Sequence, residues 1–485
     1  MTARRLILLA AVLAWGQAAQ GQQPLSASDW LSGSVRGPDR ESSAWRPGDS
    51  PPPGVPGTGP RPVAVTGAVG PVQVTRLGNG NPDAAGLVTP RKAGLPASLW
   101  QGSDPAVLAD LILRTPARLP AMNALLDRVL TTQFRPPAEG SAPQGRLFLA
   151  RADRLLDGGA VDRAQALLIA AGPGNPEIFR RLFDIALLEG DEGRACDIMN
   201  TTPGIAPSFA ARIFCLAQTG DWAAAAISLH GAESLGLLDQ RQAVLLTHFL
   251  DDGYVDSDQM LAPADRVTPL EFRIHEAIGQ PLPTASLPIA FAHSDLRPNN
   301  GWKARLEAAE RLARAGAIPP ATLRALYSEQ KPAASGGVWE RAGAMRTLET
   351  ALAGGDPAPA LPAAFDQFRA VGMADVLAAM VAADLPQTGT GRPAEIATWL
   401  RQWQGLPTPT PLVLDPALKA EPVPPPATRQ GEALLTALAD IDAGLDGDLP
   451  RAGRGLAMLR ALGLTAEADL AAAQLSLLPV MRPAP

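Results

Sequence analysis

"EGDEGRACDIM" (189–199) falls into register with "GGAVDRAQALL" (158–168) and "TGDWAAAAISL" (219–229), aligning Gly159, Gly190 and Gly220 at spacings of 31 and 30 residues. An apolar stretch of helical period precedes each: "LARADRLLD" (149–157), "RRLFDIALL" (180–188) and "AARIFCLAQ" (210–218). A helix, a glycine turn, and a second helix with Ala164, Ala195 or Ala225 at the crossing point describe one helical hairpin. A single hairpin cannot bury its apolar face, so three in succession predict an all-α fold, an α/α superhelix of stacked helical hairpins.

Register also places the chain's two cysteines. Cys196 lies in the second helix of one hairpin and Cys215 in the first helix of the next, on either side of the "TTPGIAP" loop (201–207). Antiparallel packing across that loop brings the two side chains to a similar height. In an oxidising compartment this predicts a disulfide, and closing a loop of about 20 residues contributes about 3 kcal/mol. The other arrangement is two separate buried thiols. The CxxC spacing of a redox-active pair does not occur.

The compartment is read from the start of the chain, "MTARRLILLAAVLAWGQAAQGQQP" (1–24). Arg4 and Arg5, the apolar run Leu6–Trp15 and small residues at Ala18–Gly21 have the order of a secretory signal peptide, here 1–21. The run is too short for a bilayer, which needs about 20 apolar residues, and no membrane span is expected elsewhere. No cysteine near the cleavage region offers a lipid attachment point. Only four of the 42 basic residues are lysines and alanine is abundant, a high-GC bacterial composition that makes the periplasm the expected location. A net charge of −6 leaves no basic stripe for a phosphate backbone, which argues against nucleic acid as a partner. Hydrophobic residues make up 46% but aromatics only 5%, so the core must be Leu, Ala, Ile and Val, which suits close-packed helices.

Composition divides the rest. Residues 22–96, including "RPGDSPPPGVPGTGPRP" (46–62), read as a disordered Pro/Gly-rich tail. Within it Val63, Val65, Val72 and Val74 alternate with period two, as an extended linker or a short strand would. Leu95, Leu99 and Trp100 could anchor its end, and Asp104 or Ser103 is a fair N-cap before Pro105. A helical-repeat domain (97–253) follows, then an irregular connection (254–298) and a second helical segment (299–405). There, "GWKARLEAAERLARAGAIPP" (301–320) sets Leu306, Ala309, Leu312 and Ala313 on one face and pairs Glu307 with Arg311 and Glu310 with Arg314, with Gly316 as the stop. A Pro-rich linker (406–430) leads to C-terminal helices (431–485) expected to cap the array.

Motifs of catalysis are not found. The four histidines, His230, His248, His275 and His293, lack the i, i+4 pairing of a zinc helix. In "AHSDLRP" (292–298), His293, Ser294 and Asp295 are consecutive, whereas a triad sets the base between nucleophile and orienter in space. "TGTGRP" (388–393) and "GNGNP" (78–82) read as glycine turns, not phosphate loops. Asp251, Asp252, Asp256 and Asp258 cluster in "HFLDDGYVDSDQM" (248–260) without the Glu of a calcium loop. Glu307, Glu340 and Glu395 fall on ordinary amphipathic helices, outside the motif context of lytic transglycosylases. No catalytic, cofactor-binding or metal-ligating residue is assigned, and no cofactor is expected.

The repeat resembles tetratricopeptide arrays, although most of that family's Trp-Leu-Gly-Tyr positions are missing. The order of "GLPASLW" (94–100), "GDEGRACDIM" (190–199), "ARIFCLAQTGDWAAA" (211–225) and "SGGVWERAGAM" (335–345) is similar to that of uncharacterised exported helical proteins of alphaproteobacteria. That resemblance implies a location and no site residues. The expected function is a non-catalytic, monomeric periplasmic scaffold mediating protein–protein interaction with an envelope component. The alternative is an envelope protein that binds or processes peptidoglycan or another glycan.

Overall fold

The computed structural model describes residues 30–31, 81–138, 144–251 and 260–483. The expected signal peptide, the alternating valines and most of the Pro/Gly-rich tail lie outside these residues, as do Asp252, Asp256 and Asp258. The described residues form 21 α-helices and no strand, and their single β-type contact is an isolated bridge between Val88 and Thr132.

The glycine register is what builds the repeat. Gly159, Gly190 and Gly220 have φ of +75°, +76° and +88°, a region that strains any residue with a Cβ. In each turn the next residue donates its N–H five positions back: Ala160 to Leu155 O, Asp191 to Ala186 O, Asp221 to Leu216 O. This closes the first helix and reverses the chain. The hairpins are Arg146–Asp157 with Val161–Ala171, Pro176–Glu189 with Glu192–Thr201, and Phe209–Gln218 with Trp222–Ser234, each helix packing on the next. Ala164 and Ala225 are fully buried; at the middle crossing Ala195 is half-buried and its neighbour Cys196 takes the buried place.

The array continues through the stretch read as an irregular connection. Pro269 opens a helix there, Pro269–Ala277, at a position whose N–H would be unpaired anyway, and Thr268 and Glu271 form a reciprocal capping box. This helix packs on Gln240–Leu250 and also back on Pro176–Glu189.

Two cores result. Phe179, Phe183 and Leu187 join Ile213, Phe214, Leu246 and Ile274 in a core confined to this hairpin stack. Ile178, Ile185 and Leu188 belong to a larger core that runs from Trp30 to Met481. The helix Pro176–Glu189 is therefore apolar on both faces and joins the two.

The C-terminal helices do not sit only at the end of the array. Gln430–Asp442 packs on Pro105–Arg114, and Thr465–Met481 packs on both Gly391–Trp403 and Pro120–Thr131, so the last helices cover the first. Gly431 N–H donates to Leu99 O, and a Cβ on Gly431 would fall 2.6 Å from the Trp100 ring. The buried Gln474 amide accepts from Ala121 N–H and donates to Trp403 O, tying both ends through one side chain. The Pro-rich residues 406–430 are a strap across this closure rather than a free linker. Gln402 donates to Thr410 O, Asp415 N–H donates to Ser476 Oγ, and Leu418 is buried.

The folded body begins earlier than position 97. Asp83, buried, accepts from Gly145 and Phe148 N–H. Arg151, fully buried, donates to the carbonyls of Leu130, Thr132 and Ala85; its burial lowers its pKa to about 10. Trp30 is buried edge-on against Phe291, centroids 5.7 Å apart, and its indole N–H donates to Asp157. The local expectation at the other end of this segment holds, since Asp104 caps Pro105–Arg114 by accepting from Ala106 N–H.

In Trp302–Arg314, Leu306, Ala309 and Leu312 are fully buried. The expected surface ion pairs are mostly rearranged. Glu307 meets Lys303 at 3.4 Å, and Arg311 donates to Thr284 O and Leu287 O. Glu310 is buried, bound by Arg341 at 2.6 Å and Tyr327 OH at 2.7 Å, with Arg314 4.0 Å away. Tertiary donors outcompete neighbours on the same helix, whose pairing is worth only about 0.3–0.5 kcal/mol.

Candidate functional site

Cys196 and Cys215 are joined as a disulfide, with Cα atoms 4.9 Å apart and both side chains fully buried. The bridge locks the second hairpin to the third, and so fixes the position of Trp222–Ser234, the outermost helix of that pair. Asp221 starts this helix by accepting from Ala224 N–H. From Trp222 to Ala232 it carries no Asp, Glu, Lys or Arg. Ala225, Leu229 and Ala232 face the core. The opposite side presents Ala223, Ala226, Ile227 and His230 to solvent. Helices with apolar residues on all sides are ordinarily covered on all sides.

Exposed apolar side chains are also frequent in the residues that follow. Of the twelve exposed large apolar side chains among the described residues, six lie between 222 and 260: Trp222, Ile227, Leu235, Leu237, Val244 and Met260. Trp222 is 52% exposed while leaning on Phe249, and Ile227 is 74% exposed. Scattered exposed apolar side chains are normal in monomers, and those that belong to the outer side of this helix are Trp222 and Ile227. The signal was present in the sequence as the uncharged run "WAAAAISLHGA" (222–232), which the hairpin alignment alone does not single out.

The residues considered for chemistry are dispersed. His293 bonds through Nε2 to Gly159 O at 2.7 Å, Ser294 Oγ donates to Leu188 O, and Asp295 accepts from Thr284 Oγ. The three neighbours thus point to three different partners. Burial lowers the pKa of His293, against the opposing pull of the Gly159 carbonyl and Asp162. His275 is also lowered, by burial first and then by Arg241. His248 is buried and His230 exposed. Glu340 and Glu395 are exposed and Glu307 pairs with Lys303. No three His, Cys, Asp or Glu side chains among the described residues are placed to hold a metal ion. No helix among them is long and apolar enough to cross a membrane.

Several buried charges are spent on structure. Arg181 binds Asp153 through two parallel contacts of 2.5 and 2.8 Å and also Glu177, which together raise its pKa against the cost of burial. Burial and the adjacent Glu310 carboxylate raise the pKa of Tyr327. Searches against protein-family models, curated proteins and solved structures return no match for this chain.

Proposed function

We propose that the protein is a non-catalytic, monomeric helical-repeat scaffold of the periplasm that binds another envelope protein through the outer face of Trp222–Ser234. The observation carrying this reading is the uncharged, solvent-facing side of residues 222–232, on a helix packed against one that a buried disulfide anchors. A preformed apolar face loses little conformational entropy on binding, which is the usual advantage of stacked hairpins as docking surfaces. Export is supported by the apolar leader behind Arg4 and Arg5 and by the disulfide, a bond that persists in oxidising compartments. The non-catalytic reading is supported by the engagement of His293, Ser294 and Asp295 with separate structural partners.

A photo-crosslinking residue at position 227 tests the surface in cells. One discrete adduct is expected, lost when Trp222 is replaced by Asp, with no equivalent adduct from a probe at exposed Glu307. Crosslinking no stronger at 227 than at 307 would remove the proposal. Release of soluble fragments from purified peptidoglycan by the pure protein would remove its non-catalytic part.

A further inference from the structure

A separate, wide-open surface cleft of about 610 Å³ lies where residues 387–391 enter the helix Gly391–Trp403, beside residues 409–413 of the strap. Its volume falls within the range of small-ligand sites, about 300–1,000 Å³, but its open mouth suits a ligand laid against a surface rather than enclosed. Trp399 lines it, half-buried, with its ring 6.1 Å from that of Phe365 behind it. Around it stand Gln387, Thr388, Thr390, Glu395 and Thr410. None of these five side chains is hydrogen-bonded within the protein, although their neighbours Thr398 and Gln402 are, to Ala394 O and Thr410 O.

The chemistry of this lining narrows the ligand. No Lys or Arg lines the cavity, which disfavours a nucleotide, a phosphate or any other strong anion. Unengaged hydroxyl and amide groups beside one aromatic ring and the apolar Pro409, Pro411, Leu412 and Val413 suit a molecule that has hydroxyls at its edge and C–H groups on its faces. A hydrophobic ligand would leave those polar groups desolvated without partners, at a cost. A proline-rich peptide requires a groove lined by several aromatic rings, and one tryptophan stands here. We infer that the cleft between residues 387–399 and 409–413 binds a neutral oligosaccharide, with a sugar ring stacked on Trp399 and its hydroxyls bonded by Gln387, Thr388, Thr390 and Thr410. Glu395, exposed at the rim, serves as a hydrogen-bond acceptor.

Saturation-transfer NMR and calorimetry on the full chain, with chitotetraose and cellotetraose as separate probes and a synthetic peptide of residues 46–62 as a third, decide the matter. Binding of at least one tetrasaccharide is expected, weakened about tenfold or more, equivalent to about 1.4 kcal/mol, by Trp399→Ala and by the double change Thr388→Val, Thr390→Val. The threonines are exposed, so the second variant tests the site even if loss of Trp399 disturbs packing on Phe365. Binding of neither sugar, binding that survives the threonine changes, or binding of the peptide alone would each overturn the assignment.

Discussion

Arg118 holds Asp442 twice, through its backbone N–H at 2.7 Å and its side-chain Nε at 2.8 Å, across 324 positions of sequence. Asp442 is almost wholly buried, while the arginine reaches outward to Asp446 as well. The contact fastens the first helices to the last. Asp442→Ala is expected to destabilise the whole body by about 2 kcal/mol, since it leaves a backbone donor unpaired as well as removing a charged acceptor. Asp446→Ala, at an exposed position, should change the denaturation midpoint little. Urea denaturation of the two variants checks the difference.

The disulfide belongs to the smaller core. Reduction, or Cys196→Ser with Cys215→Ser, should weaken the hairpin stack by about 3 kcal/mol, as expected for a bridge closing a 19-residue separation, and leave the larger core nearly intact. Hydrogen exchange should then show lost protection in helices 209–218 and 222–234 at a reductant level where helices 449–461 and 465–481 stay protected. Uniform loss in both regions would show that the two cores unfold together.

The depressed pKa of His293 sets a pH dependence. Its folded value lies below the ordinary 6.5, so the unfolded chain binds the proton more readily. The stabilisation is complete above about pH 6.5 and falls away as pH drops from there through the depressed folded value. His275 acts in the same direction. The contribution of these two histidines between pH 5 and 7 should therefore rise with pH, against the opposite trend of Asp127, Asp295 and Asp375, whose pKa values burial raises, and His293→Gln should make the measured slope less positive. An unchanged slope would show that the ring titrates alike in the folded and the unfolded chain.

Trp30 is a long-range plug. Trp30→Ala removes its contact with Phe291 and its bond to Asp157, and should cost about 3 kcal/mol locally. Hydrogen exchange is the sensitive readout: protection around Phe291 and Asp157 should fall in the mutant while helices 449–461 and 465–481 keep theirs.

On the proposed docking face the opposite behaviour is expected. Ile227→Asp replaces an exposed side chain and should shift stability by no more than about 0.5 kcal/mol while abolishing partner capture.

How much of this could be read beforehand follows from how local each determinant is. Gly159, Gly190 and Gly220 carry their turns within six residues, so the hairpins and the helical class were legible, and the pairing of Cys196 with Cys215 followed from hairpin register. Prolines misled where they open helices: Pro269 looks like a break in composition and is a helix start. Gln474, Gly431 and Asp442 look unremarkable in their own helices, and only the tertiary contact with Ala121, Leu99 and Arg118 shows their use. The apolar run at 222–232 was visible as composition, but its outward half could be told from its buried half only once Leu229 and Ala225 had found the core.

An open stack of repeats can be trimmed from either end, unit by unit, and still fold. The return of Thr465–Met481 onto Pro120–Thr131 denies this chain that freedom. A polypeptide emerging amino-terminus first must keep its earliest helices waiting, apolar flank uncovered, until its last segment arrives. A stop anywhere before position 430 should therefore yield an aggregating fragment rather than a shorter version of the same molecule.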